Sequence, residues 1–110
     1  PKFHPHARML ASAPLAILVC AETGHLKYEE YWVEDCSAAT QNILLAAHGL
    51  GLGAVWVGLY PKPERMDAVR GLIALPEHVL PVALIPVGQP GEYIPPAHRF
   101  DETRIHRNRW

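Results

Sequence analysis

One segment limits the fold of this chain more than any other. Ser37-Ala38-Ala39-Thr40-Gln41-Asn42-Ile43-Leu44-Leu45-Ala46-Ala47-His48 reads as a helix that closes at Gly49. Ala39, Ile43, Ala46, Ala47 and Leu50 recur at three- and four-residue spacing, and Leu44 and Leu45 widen that stripe until little polar face is left. A helix so apolar needs cover on most sides, from its own sheet and from other protein. Ala38, Ala39, Ala46 and Ala47 also let another backbone approach closely. The segment therefore predicts a core helix that doubles as a dimer interface. Asp35 is the expected N-cap, its carboxylate accepting from the first unpaired amides.

The remaining elements follow from periodicity and breakers. Arg8 to Ser12 reads as a last helical turn, cut off at Ala13-Pro14. Pro14 to Ala21 is continuously apolar without alternation, which predicts a strand covered on both faces. Glu22 to Glu34 reads as a solvated polar loop carrying Tyr28, Tyr31 and Trp32. Gly53 to Gly58 is a short strand bracketed by glycines, and Tyr60-Pro61-Lys62-Pro63 turns the chain into a second helix with Pro63 at its first position. Met66, Val69, Leu72 and Ile73 form that helix's apolar stripe, with Glu64, Arg65, Asp67 and Arg70 outside and Leu75-Pro76 as its stop. Leu80 to Val87 is a further apolar strand, in which Pro86 lacks a ladder donor and points to an edge or a bulge. The tail from Gly88 has no hydrophobic period. One domain over residues 1–110 is expected, with residues 89–110 wrapping a partner subunit.

Composition removes several function classes. At 49% hydrophobic and 19% charged residues the chain is globular rather than disordered. Ten Lys plus Arg against eleven Asp plus Glu give a net charge of -1, which argues against bulk nucleic-acid binding. The longest apolar run, Ala13 to Ala21, falls far short of the ~20 residues of a membrane helix. Pro1-Lys2-Phe3-His4-Pro5-His6 is polar and proline-broken, unlike a signal peptide. Cys20 and Cys36 form no CxxC and read as buried free thiols, at home in a reducing cytoplasm. The seven histidines show no metal-ligand spacing, and Ser12 and Ser37 lie in no nucleophile elbow. Gly49-Leu50-Gly51-Leu52-Gly53 imitates a dinucleotide fingerprint, but these glycines close a helix and open a strand, the reverse of the required order.

The glycine-flanked strand is the more informative feature. Gly53 and Gly58 remove side chains where a flat ligand can approach the backbone, and Trp56 can wall one side. A buried strand with turn glycines accounts for the same residues. Arg99, Arg104, Arg107 and Arg109 concentrate positive charge in the tail, suited to acids or to a cofactor phosphate.

Several stretches together resemble the FMN-dependent nitroreductase family. They are Asp35 to Asn42, His48 to Gly58, Leu75 to Pro81, Ile85-Pro86-Val87-Gly88 and Arg99-Phe100-Asp101, in the family's order across nearly the whole chain. The correspondence is to the later part of a family chain, without the N-terminal helices and their Arg-rich, phosphate-gripping segment. The resemblance implies an α+β fold, a three-layer α/β/α sandwich around a mainly antiparallel sheet. It implies a homodimer with FMN at the subunit interface. Trp56, Val57 and Gly58 match the segment that lines the isoalloxazine ring, and Arg99 matches a basic position at the phosphate. Ala97 or His98 stands where some members carry a further basic residue. The implied activity is NAD(P)H oxidation through FMN in a ping-pong cycle, with a nitroaromatic, quinone or similar planar acceptor and no catalytic side chain. A non-catalytic relative that keeps the dimer core, and a flavin-binding module, stay open beside it.

Overall fold

The computed structural model describes residues 4–110, so Pro1, Lys2 and Phe3 of the opening polar segment lie outside the described residues. In chain order the elements are β1 (Leu15–Glu22), α1 (Trp32–Gly49), β2 (Gly53–Ala54), β3 (Val57–Gly58), α2 (Pro63–Ile73) and β4 (Val79–Gly88). Short 3-10 turns lie at Arg8–Ala11, Thr23–His25, Glu29–Tyr31 and Glu102–Arg104.

β4 is the central strand. It pairs antiparallel with β1 along one side and with β2 and β3 along the other. Its burial explains its composition: Pro81, Val82, Ala83, Ile85, Pro86 and Val87 are all buried. Pro86 therefore sits in the middle of the sheet, where an edge or a bulge is expected of a proline. β2 and β3 keep one register along β4, Gly53 opposite Gly88 and Val57 opposite Leu84. Pairing lapses only at Val55 and Trp56, which that register sets against Pro86 and Ile85. A proline has no N–H to complete the ladder, so the predicted strand Gly53 to Gly58 becomes two short pieces. The register shift of β4 against β1 lies elsewhere, at Val19/Cys20.

Strand alternation puts the helices on opposite faces of the sheet. Val19, Ala21, Leu80 and Val82 pack with Trp32 and Cys36 of α1. Ala16, Leu18 and Leu84, on the other face, line a groove with Val69, Leu72 and Ile73 of α2. This is the expected α+β layering with an antiparallel sheet. β1 is not covered on both faces within the chain, since Leu15 and Ala16 are exposed.

α1 begins at Trp32, ahead of the predicted start at Ser37. Asp35 is thus inside the first turn with Glu34, where both carboxylates meet the positive end of the helix dipole, and Tyr31 is the capping residue without a side-chain bond. Tertiary packing explains the early start: the Trp32 ring meets Tyr60 edge-on, centroids 4.9 Å apart. Thr40, fully buried, donates its hydroxyl proton to the Cys36 carbonyl at 2.7 Å. The helix ends as the glycines require, with Gly51 at φ 74° and the Leu52 amide returning to the Ala47 carbonyl. α2 starts at Pro63 as predicted but stops on Ala74, left-handed at φ 53°, before Leu75-Pro76 is reached. Its predicted outer face is partly inner: Arg65 and Arg70 are half-buried, while Leu72 and Ile73 are 73% and 55% exposed.

Residues 89–110 are exposed throughout. The chain presents 8667 Å² of surface, against roughly 6,100 Å² for a compact monomer of its mass. Its radius of gyration is 16.6 Å, against roughly 13 Å for a compact domain of this length.

Candidate functional site

The candidate site is built on β3 and the residues leading into it. Val57 turns its side chain inward and is 3% exposed, whereas Trp56 is 38% exposed. Gly58 pairs with Ala83, and a Cβ added to it meets nothing within 4 Å. The space beside this backbone is open, so the glycine leaves a flat main-chain surface next to an exposed indole. Past Gly58, the amides of Leu59 and Tyr60 both donate to the Val82 carbonyl, at 3.1 and 3.2 Å. Arg65 Nη1 donates to the Gly58 carbonyl at 3.1 Å.

Trp56, Val57 and Gly58 are consecutive along the sheet edge, with Trp56 just outside β3, Val57 facing the core and Gly58 bare on its flank. Arg99 is placed apart from them in the exposed tail, and makes no hydrogen bond or ion pair among the described residues. A broad trough of about 970 Å³ runs beside β2, lined by Met9, Pro14, Val55, Gly88 and Glu92 among others. It reaches Val55 but not Trp56, Val57, Gly58 or Arg99. Arg65 is the neighbour of this edge that the sequence conceals. It looks like one more charge on a solvated helix face, and no local pattern links it to Gly58 across an intervening turn.

The titratable groups elsewhere have structural explanations. Glu22 accepts from the Gly24 amide at 2.9 Å and lies 3.0 Å from His25 Nδ1 and 3.5 Å from His78 Nε2. The Gly24 amide, more than His25, holds this carboxyl below its ordinary range. The Thr23 hydroxyl completes the tie by donating to the His78 carbonyl at 2.7 Å. Burial pushes the Cys20 and Cys36 thiols up, which disfavours the nucleophilic thiolate in both. Burial first, and then the Arg65 charge, lowers His4. Among the described residues no group of three or more His, Cys, Asp or Glu is placed to hold a metal ion, and no helix is long and apolar enough to cross a membrane.

The model of the Nitroreductase family matches residues 4–89. This chain belongs to the nitroreductase family. A protein of Methanothermobacter thermautotrophicus, provisionally named NADH dehydrogenase/NAD(P)H nitroreductase, is 49% identical over all 110 residues. The chain spans 58% of that relative's length. A crystal structure from Bacteroides thetaiotaomicron with the same provisional name superimposes with a TM-score of 0.90 at 46% identity, covering 99% of this chain and 63% of that one. A provisionally named nitroreductase of Desulfovibrio desulfuricans, solved in complex with FMN, matches with a TM-score of 0.78 at 26% identity over 99% of this chain and 63% of its own.

The space beside Gly58 leaves room for a planar group against the main chain. The bare flank of Gly58, the half-exposed indole of Trp56 and the inward turn of Val57 make this edge partly apolar.

Proposed function

We propose that this chain provides part of an FMN-dependent NAD(P)H oxidoreductase of nitroreductase type, reducing a nitroaromatic, quinone or similar planar acceptor. The observation that carries the proposal is the open flank of Gly58 within a chain so similar to relatives of that name. FMN, when bound, would supply the hydride-transfer chemistry that links a nicotinamide donor to the acceptor in a ping-pong cycle. The chain's residues bind and orient. Trp56, Val57 and Gly58 line the ring; Arg99 supplies positive charge to the phosphate. No side chain acts as a nucleophile.

The protein acts as a homodimer with the flavin at the interface and residues 89–110 wrapped around the partner. Leu45, Leu50, Tyr93, Ile94, Phe100 and Trp110 are all exposed, and a second copy gives them cover. A reducing cytoplasm suits its two free thiols. The rival reading, a dimer-forming relative without flavin chemistry, makes the opposite forecast for a simple test. Purified protein should show flavin absorbance after incubation with FMN, and NAD(P)H should bleach it. Arg99→Ala should weaken FMN binding by about 10–100-fold, the range for one charge-assisted hydrogen bond, and leave riboflavin binding unchanged. Calorimetric titration of both ligands decides it; FMN affinity indifferent to Arg99 puts the phosphate elsewhere.

A further inference from the structure

The peptide unit between Gly58 and Leu59 is held at both ends. Its N–H donates to the Val82 carbonyl at 3.1 Å, and its C=O accepts from Arg65 Nη1 at 3.1 Å. The only cis bond among the described residues is Tyr60–Pro61, so this unit is trans and its N–H and C=O point in opposite directions. β4 therefore grips it from inside the sheet and Arg65 from outside. β3 is the outermost strand there, and the guanidinium stands where the donor of a further strand would be.

This clamp matters because it acts on the outer side of β3, whose inner side is already held by the buried Val57 and Leu59 side chains and by the Leu59 and Tyr60 amides. The strand is two residues long, and its pairing lapses immediately before it, at Val55 and Trp56. Gly58 adds no side chain to fix its own dihedrals, and glycine backbones are the most permissive. Arg65 is by contrast well placed. It lies in the first turn of α2 behind Pro63, its own amide donates to the Lys62 carbonyl at 3.0 Å, and its side chain is half-buried. The contact thus transmits the position of α2 to β3.

We propose that Arg65 is a positioning residue which sets the peptide plane of Gly58, and with it the main-chain face offered to a flavin ring. The proposal rests on the reading of Trp56, Val57 and Gly58 as the ring wall. It differs in consequence from a phosphate contact, because a residue acting through the wall must affect ligands with and without a phosphate alike.

The test uses the 110-residue chain with Arg65→Met, which keeps the stem and removes the donor, and Arg65→Lys, which restores one. FMN and riboflavin are titrated against each, and amide hydrogen exchange is followed in the flavin-free proteins. Arg65→Met should weaken both flavins by the same factor, about tenfold, with partial recovery in Arg65→Lys. The Leu59 amide should exchange faster in Arg65→Met while the β1–β4 amides keep their protection. Three outcomes overturn the proposal: unchanged affinity, a loss confined to FMN, or a Leu59 amide indifferent to Arg65. General loss of protection across β1 and β4 overturns it too, by reducing Arg65 to a stability role. If the unsubstituted chain binds neither flavin, the wall reading itself fails and the proposal with it; unequal losses in a chain that binds both remove Arg65 alone.

Discussion

At Gly58 one missing methyl group keeps the flank of β3 open. The residue is not left-handed, so its backbone accepts any side chain, and a Cβ there meets nothing within 4 Å. Gly58→Val should accordingly leave the fold intact, since β-branched residues suit strands. It should also lower riboflavin affinity by tenfold or more, on the order of the cost of forcing a group into a packed contact. Circular dichroism with a calorimetric titration checks both halves, and unchanged affinity in a folded Gly58→Val protein removes the wall from this strand. The glycine was legible in the sequence as a place where something flat can approach. Arg65 was not, because a charge on an amphipathic helix carries no mark of which carbonyl it will find. Arg99 was legible as one of four tail arginines and was singled out only by the family resemblance; it lies in the exposed tail with no partner among the described residues to fix it.

At the scale of elements, boundaries moved where tertiary contacts outweighed local signals. Asp35 has the chemistry of a helix cap, yet α1 runs back to Trp32 because that indole packs against Tyr60. Leu75-Pro76 has the chemistry of a stop, yet α2 ends on Ala74 in the left-handed region, φ 53° and ψ 48°. An alanine there is strained where glycine is not. Ala74→Gly should therefore raise stability by about 1 kcal/mol, read as a higher urea midpoint at unchanged slope. A lower midpoint would show that the Ala74 methyl makes a compensating contact. Pro86 illustrates the same lesson in the sheet. Its missing donor was evident, but only the strand order shows that the neighbouring strand yields, at Val55 and Trp56, while β4 stays central.

For the whole molecule, the excess of exposed surface is the governing fact. Leu45 is 60% exposed on α1 and Leu50 is 76% exposed just beyond it, among small residues that allow close approach. Leu45→Glu should leave the monomer fold unchanged and weaken self-association on the order of a hundredfold, since a buried unpaired carboxylate costs several kcal/mol. Sedimentation at micromolar concentration reads this directly: a clean monomer of the unsubstituted chain removes the dimer, and a dimer unaltered by Leu45→Glu places the interface elsewhere. The sequence by itself placed the main helices and strands, because hydrophobic period, glycines and prolines act locally and are written along the chain; the class of fold was legible through the family resemblance. The sequence marked the strongly apolar helix and the glycines that bracket residues 53–58 for the same reason, though not the break between β2 and β3. Only the tertiary structure decided that β4 is central, that α1 and α2 take opposite faces, and that Arg65 reaches the Gly58 carbonyl. Those facts depend on contacts between residues distant in sequence, which no local pattern encodes.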